Sequence, residues 1–170
     1  MPDKSKSETV GVMSTVIRKD GIFDLDTLYN AIKGWFDQNK YEPTEYDMTR
    51  KFAPDGGEYN IKWRAKKNVD YYVRFEIKIE MWMWKAIEVL IERQNQRFKR
   101  FKASMEMKID CVLVKNYNKT FPPTKFGNFL RRAAERYLWK KKLESEMETK
   151  LYEEFEELQD KIKETLEQLT

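Results

Sequence analysis

VRFEIKIEMWMW (73–84) alternates its side chains with a period of two. Val73, Phe75, Ile77, Ile79, Met81 and Met83 form an apolar row, and Arg74, Glu76, Lys78 and Glu80 form the row opposite, as in a strand with one face buried and the other in water. Met105, Met107, Ile109, Cys111 and Leu113 repeat the pattern on a second long strand. Trp82 and Trp84 break the polar row of the first strand, Val112 and Val114 that of the second. If the two strands pair, these four are expected to form an apolar patch on the outer face. Between them, Ala86 to Ile91 reads as a short strand turned back by Gln94-Asn95-Gln96.

Toward the N-terminus, Tyr59, Ile61, Trp63 and Ala65 make a further inward row, with Asn60, Lys62, Arg64 and Lys66 outward. Tyr46, Met48 and Phe52 share one side of a preceding strand, and Asp55-Gly56-Gly57 reads as the hairpin turn between the two. Asn68-Val69-Asp70 turns the chain again. Val10 to Ile17 is a first strand, closed by Asp20-Gly21. Asp24 or Asp26 caps a helix that places Leu28, Tyr29, Ile32, Trp35 and Phe36 on one face, and Pro43 is the expected stop. Residues 1–9 are polar and read as a disordered tail.

Toward the C-terminus, residues 124–169 hold no proline and one glycine, Gly127, and read as one long helix capped by Thr120 or Thr124. A helix of that length spans roughly 65 Å, so it is expected to project, bend or lie on another molecule. Phe126, Phe129, Leu130, Ala133 and Tyr137 form a stripe, and Met147, Leu151, Phe155, Leu158, Ile162, Leu166 and Leu169 continue it. Lys140, Glu144 and Glu148 occupy the stripe's own angular position between the two halves, so either two segments bury against two separate things or the helix bends near 140–148. Residues 131–142 carry six bases and one acid, and residues 144–167 carry ten acids and three lysines. That order opposes the dipole of a single helix and favours antiparallel or head-to-tail contact between copies.

The expected fold is α+β, with an antiparallel sheet of about five to six strands packed on one N-terminal helix and a long C-terminal helix. The expected units are an α+β domain over 10–138 and a projecting or bent amphipathic helix over 139–170. The element order is similar to the helix-grip arrangement of lipid-transfer domains, a likeness of topology. FDLDTLY (23–29) and KLYEEFEELQDKIKETL (150–166) resemble a group of small uncharacterised archaeal proteins, a resemblance that implies no particular activity.

Histidine is absent, which removes the commonest general base and nearly all zinc sites. Cys111 lies on an inward row, where a core thiol is expected and a nucleophile is not. The acids Glu153, Glu156, Glu157, Asp160 and Glu164 share one helix face and read as solvated. No catalytic, metal or cofactor-binding residue is assigned, and no cofactor is expected. A single cysteine, no apolar run long enough for a membrane span and a polar start point to a soluble cytoplasmic protein without membrane insertion.

The reading that follows is a non-enzymatic, self-associating structural or assembly protein. Its homo-oligomer contact is assigned to Met147, Leu151, Phe155, Leu158, Ile162 and Leu166. The alternative is single-stranded nucleic-acid binding through RQNQRFKRFK (93–102), which interleaves Phe98 and Phe101 with Arg93, Arg97, Lys99, Arg100 and Lys102. Arg131, Arg132, Arg136 and Lys140 to Lys142 would extend that cationic surface. A third reading is a carrier of helix-grip type, its small apolar ligand lined by Met81, Met83, Met105 and Met107. Ordinary core packing is the expectation for those methionines.

Overall fold

The computed structural model describes residues 7–122, 124–140 and 142–168. Among them, β1 (Glu8–Phe23) leads into α1 (Leu25–Gln38), followed by β2 (Glu42–Ala53), β3 (Gly56–Asn68), β4 (Val73–Arg93) and β5 (Gln96–Lys115). Two further α-helices, α2 (Lys125–Ala134) and α3 (Glu148–Gln168), complete the chain. The strands make one antiparallel sheet in the order β1-β5-β4-β3-β2. This is the expected α+β class. Helices α1 and α3 pack on each other against the inner face of the sheet, where the alternating rows of β3, β4 and β5 are buried.

Several boundaries differ from the sequence expectation. The tail expected over 1–9 is outside the described residues as far as residue 6, and Glu8 already begins β1. Asp20-Gly21 does not close that strand. Gly21 takes a left-handed φ of 136° and the chain keeps pairing with β5 as far as Phe23 opposite Phe101. Asp24 caps α1, accepting from the backbone of Asp26 and Thr27. The helix stops at Asn39 and the left-handed Lys40, ahead of Pro43, which lies in β2.

Pro54-Asp55 forms the two-residue turn between β2 and β3, with Ala53 facing Gly56. A Cβ on Gly56 would stand 2.7 Å from the carbonyl carbon of Lys85, so that approach requires glycine. The separate strand expected over 86–91 is the continuation of β4 past an irregularity between Trp84 and Ile87, where Lys85 has φ 53°. Register also removes the expected outer patch. Trp82 faces Glu106 while Val112 faces Glu76, which puts the two pairs at opposite ends, about 20 Å apart along the strand.

Helix α3 does not project. Met147, Leu151, Phe155, Leu158, Ile162 and Leu166, assigned above to self-association, are all buried in the chain's own core. The inner face of a curled sheet leaves a trough that α1 alone does not fill, and this stripe fills the remainder. Leu169, the last residue expected on it, lies outside the described residues. Glu154 is buried in the same seam. It accepts from the Tyr41 hydroxyl at 2.6 Å and pairs with Lys67, whose ammonium lies 5.1 Å from the Tyr41 ring centre. The trio ties α3 to β3 and to the end of α1.

The expected single helix is interrupted by two π-helical stretches, Glu135–Trp139 and Lys142–Met147. Each π turn takes in an extra residue and sets the angular phase back by about 100°, so two of them rotate the apolar stripe by roughly half a turn. The two halves of the stripe, aligned in sequence, therefore face different directions. Lys141, between the π-helical stretches, lies outside the described residues.

Replacing Leu158 by alanine should lower the unfolding free energy by about 2–5 kcal/mol in urea melts, the cost of a core cavity. The mass of the folded species in solution should not change. Lost oligomer mass at unaltered stability would place the stripe between copies instead.

Candidate interaction surface

The basic hairpin is an arm. Past the pairs Phe23–Phe101 and Gly57–Ala86 neither β1 nor β3 flanks it, and β4 and β5 run on as two strands to a turn at Gln94-Asn95. Both turn residues have left-handed φ, 51° and 61°, the form whose twist matches a hairpin. Register divides the cluster expected to bind nucleic acid. Phe98 and Arg100 face one way with Ile91 and Val89, while Arg97, Lys99 and Phe101 face the other with Glu92, Leu90 and Glu88. Phe98 and Phe101 are three residues apart in a period of two, so they cannot share a platform. Phe101 meets Tyr59 edge-on at 5.6 Å, and Arg100 stacks on Phe98 at 5.3 Å and pairs with Asp24 at 3.0 Å. Arg93 and Lys102 stand at the two ends of the arm, near the turn and the sheet.

The cations of α2, Arg131 and Arg132, do not join this arm. Glu135 accepts from the Tyr72 hydroxyl and lies 3.8 Å from the Lys115 ammonium, which fixes the end of α2 at the opposite end of β5. Arg100 and Lys115 are fifteen residues apart on that strand, roughly 50 Å along it.

Helix α2 carries the least expected surface. Thr124 caps it, accepting from the Gly127 amide at 3.0 Å. A Cβ on Gly127 would stand 2.2 Å from the Pro122 carbonyl oxygen, so glycine lets the preceding chain cross the first turn. The apolar stripe is not covered: Phe126 is 69% exposed, Phe129 66%, Leu130 41% and Tyr137 79%. Glu135, about 180° round the helix from Phe126, is the residue bonded to the body. The helix thus turns its polar side to the protein and its aromatic side to water. Lys125, Arg132 and Arg136 are exposed along one flank of the stripe, and Lys140 is exposed beyond it.

Depressions also lie elsewhere on the described surface. One of about 740 Å³ on the outer sheet face is lined by Arg64, Lys66, Arg74, Lys78 and Lys108. Arg74 pairs with Glu76 at 3.6 Å, Lys78 with Glu80 at 3.8 Å and Lys108 with Asp110 at 3.3 Å, a lattice of surface ion pairs. A groove of about 410 Å³ between α1 and β2 is walled by Tyr29, Tyr46, Met48, Tyr59, Trp63 and Phe101. Tyr46, Met48 and Phe52 are exposed because β2 is an edge strand that α1 only partly covers. The methionine row Met81, Met83, Met105 and Met107 is wholly buried within the core packed by α1 and α3. Among the described residues, no cluster of three or more acids and thiols is placed to hold a metal ion.

No protein-family model and no curated protein sequence matches the chain.

Two buried acids are held neutral. Burial pushes the Cys111 thiol well above its ordinary range, with the nearby Asp110 charge adding to it. Burial raises the Tyr41 phenol further still, and its bond to Glu154 contributes. The native state therefore keeps protons that the unfolded chain releases. The stability this gives is full below about pH 8 and is lost as pH rises past about 8.5 for the thiol and 10 for the phenol. Urea midpoints should fall across that alkaline range, and Cys111→Ala should remove the lower part of the decline. A disulfide reagent at pH 8 should leave native Cys111 unmodified and react with it in urea.

Proposed function

We propose that this protein is a non-enzymatic attachment protein, an α+β body that presents α2 and the π-helical turn after it as a docking surface. One observation carries the reading: the amphipathic helix is mounted with its apolar side outward. Phe126, Phe129, Leu130 and Tyr137 form an exposed row at helical spacing, while the stripe of α3 is buried. Surfaces of that kind mark interaction sites. The assembly role expected of the C-terminal helix moves from α3 to α2, because α3 has no apolar stripe left to offer.

A second copy is one partner the charges allow. The outer face of α3 presents Glu153, Glu156, Glu157, Asp160 and Glu164 to solvent, complementary to Lys125, Arg132 and Arg136 of another molecule in a head-to-tail contact. Its one large exposed apolar residue among those described is Tyr152. Such a contact is matched in charge and poor in apolar area, so it is weak and salt-sensitive.

In water without another partner, the exposed stripe should drive reversible, concentration-dependent self-association in sedimentation velocity. Phe126→Ser, Phe129→Ser and Tyr137→Ser together should abolish it and shift stability by no more than about 0.5 kcal/mol per site, as for exposed positions. A triple variant that self-associates as the parent does, or one that unfolds, would contradict the reading.

A further inference from the structure

We propose that the surface on which α2 docks is an anionic lipid bilayer, with the helix lying in the plane of the interface. The inference rests on the attachment reading and names its partner. Residues 125–140 measure about 24 Å as helix, short of the ~30 Å of hydrocarbon a span must cross. No helix among the described residues is long and apolar enough to cross a membrane. A short helix with aromatic and leucine side chains on one side and bases beside them is built to lie on a membrane.

The charge distribution selects the kind of membrane. The only acid between residues 124 and 140 is Glu135, and it is turned to the body and engaged by Tyr72 and Lys115. The outward half of the helix is therefore purely apolar and cationic. Lys125, Arg132 and Arg136 flank the stripe where the headgroups of a half-immersed helix would lie. Tyr137 is a side-chain type that settles at the boundary of headgroup and acyl chain, and Phe126 and Phe129 suit the immersed face of an interfacial helix. The acidic face of α3 on a second copy answers the bases but not the aromatic row. An anionic bilayer answers both, in layers at the depths the helix needs.

The test is flotation of the full chain with vesicles of equimolar phosphatidylserine and phosphatidylcholine, beside vesicles of phosphatidylcholine alone. Binding is expected to the anionic vesicles, with little to the neutral ones. Arg132→Gln, Arg136→Gln and Lys140→Gln together should weaken it by roughly fivefold per charge removed. The triple serine variant at Phe126, Phe129 and Tyr137 should not float, while keeping the parent's circular dichroism melt. Equal flotation of parent and serine variant, or flotation of neither, would overturn the inference. Stripe-dependent self-association without flotation would overturn the lipid partner and leave the attachment reading standing. Neither association nor flotation would remove both.

Discussion

The burial of the α3 stripe in the inner face of the curled sheet is the interaction on which the rest of the structure depends. Leu151, Leu158 and Ile162 reach positions with almost no solvent contact, next to the rows supplied by β4 and β5. That packing closes a core which α1 alone would leave open on one side. Inside it, Glu154 takes both the Tyr41 hydroxyl and the Lys67 ammonium. A buried charge without those partners would cost several kcal/mol, so the trio holds α3 in one register. Because the apolar stripe of α3 is committed to the core, any apolar contact made through the C-terminal region is made elsewhere.

The same commitment changes the account of charge. In one continuous helix, bases early and acids late oppose the macrodipole. Arg131 and Arg132 stand in the last turn of α2, and Glu148 stands in the first turn of α3, positions at which a helix dipole favours those charges. The other two ends do not follow that rule, since the first turn of α2 has no acid and the last turn of α3 has no base. The helix ends therefore account for part of the segregation only. The remaining asymmetry lies in which charges face outward, basic around the aromatic row of α2 and acidic along α3.

Much of this was legible in the residues. Period-two alternation over 73–83 and 105–113 marked the central strands and their inner faces, and Asp24 and Thr124 were among the caps named. The α3 stripe was found, and Lys140, Glu144 and Glu148 on its line signalled an interruption. What they could not show was its form, since π turns follow from tertiary packing and leave no composition of their own. Without the rotation they impose, Phe126 and Phe129 read as buried like Leu151. Local turn signals failed where a long neighbour kept pairing, as at Asp20-Gly21. On β2 the alternation of Tyr46, Met48 and Phe52 reports a shared face and not whether anything covers it. The basic hairpin read as one surface because counting charges ignores strand parity.

Hydrogen–deuterium exchange on the full chain tests the central claim most directly, because protection follows local stability segment by segment. The account predicts that amides of residues 148–168 exchange as slowly as those of β4 and β5, while those of residues 125–134 exchange much faster. Addition of anionic vesicles should slow the second group and leave the first unchanged. Rapid exchange throughout 148–168 in the free protein, with 125–134 already protected, would reverse the roles of the two helices and contradict the account.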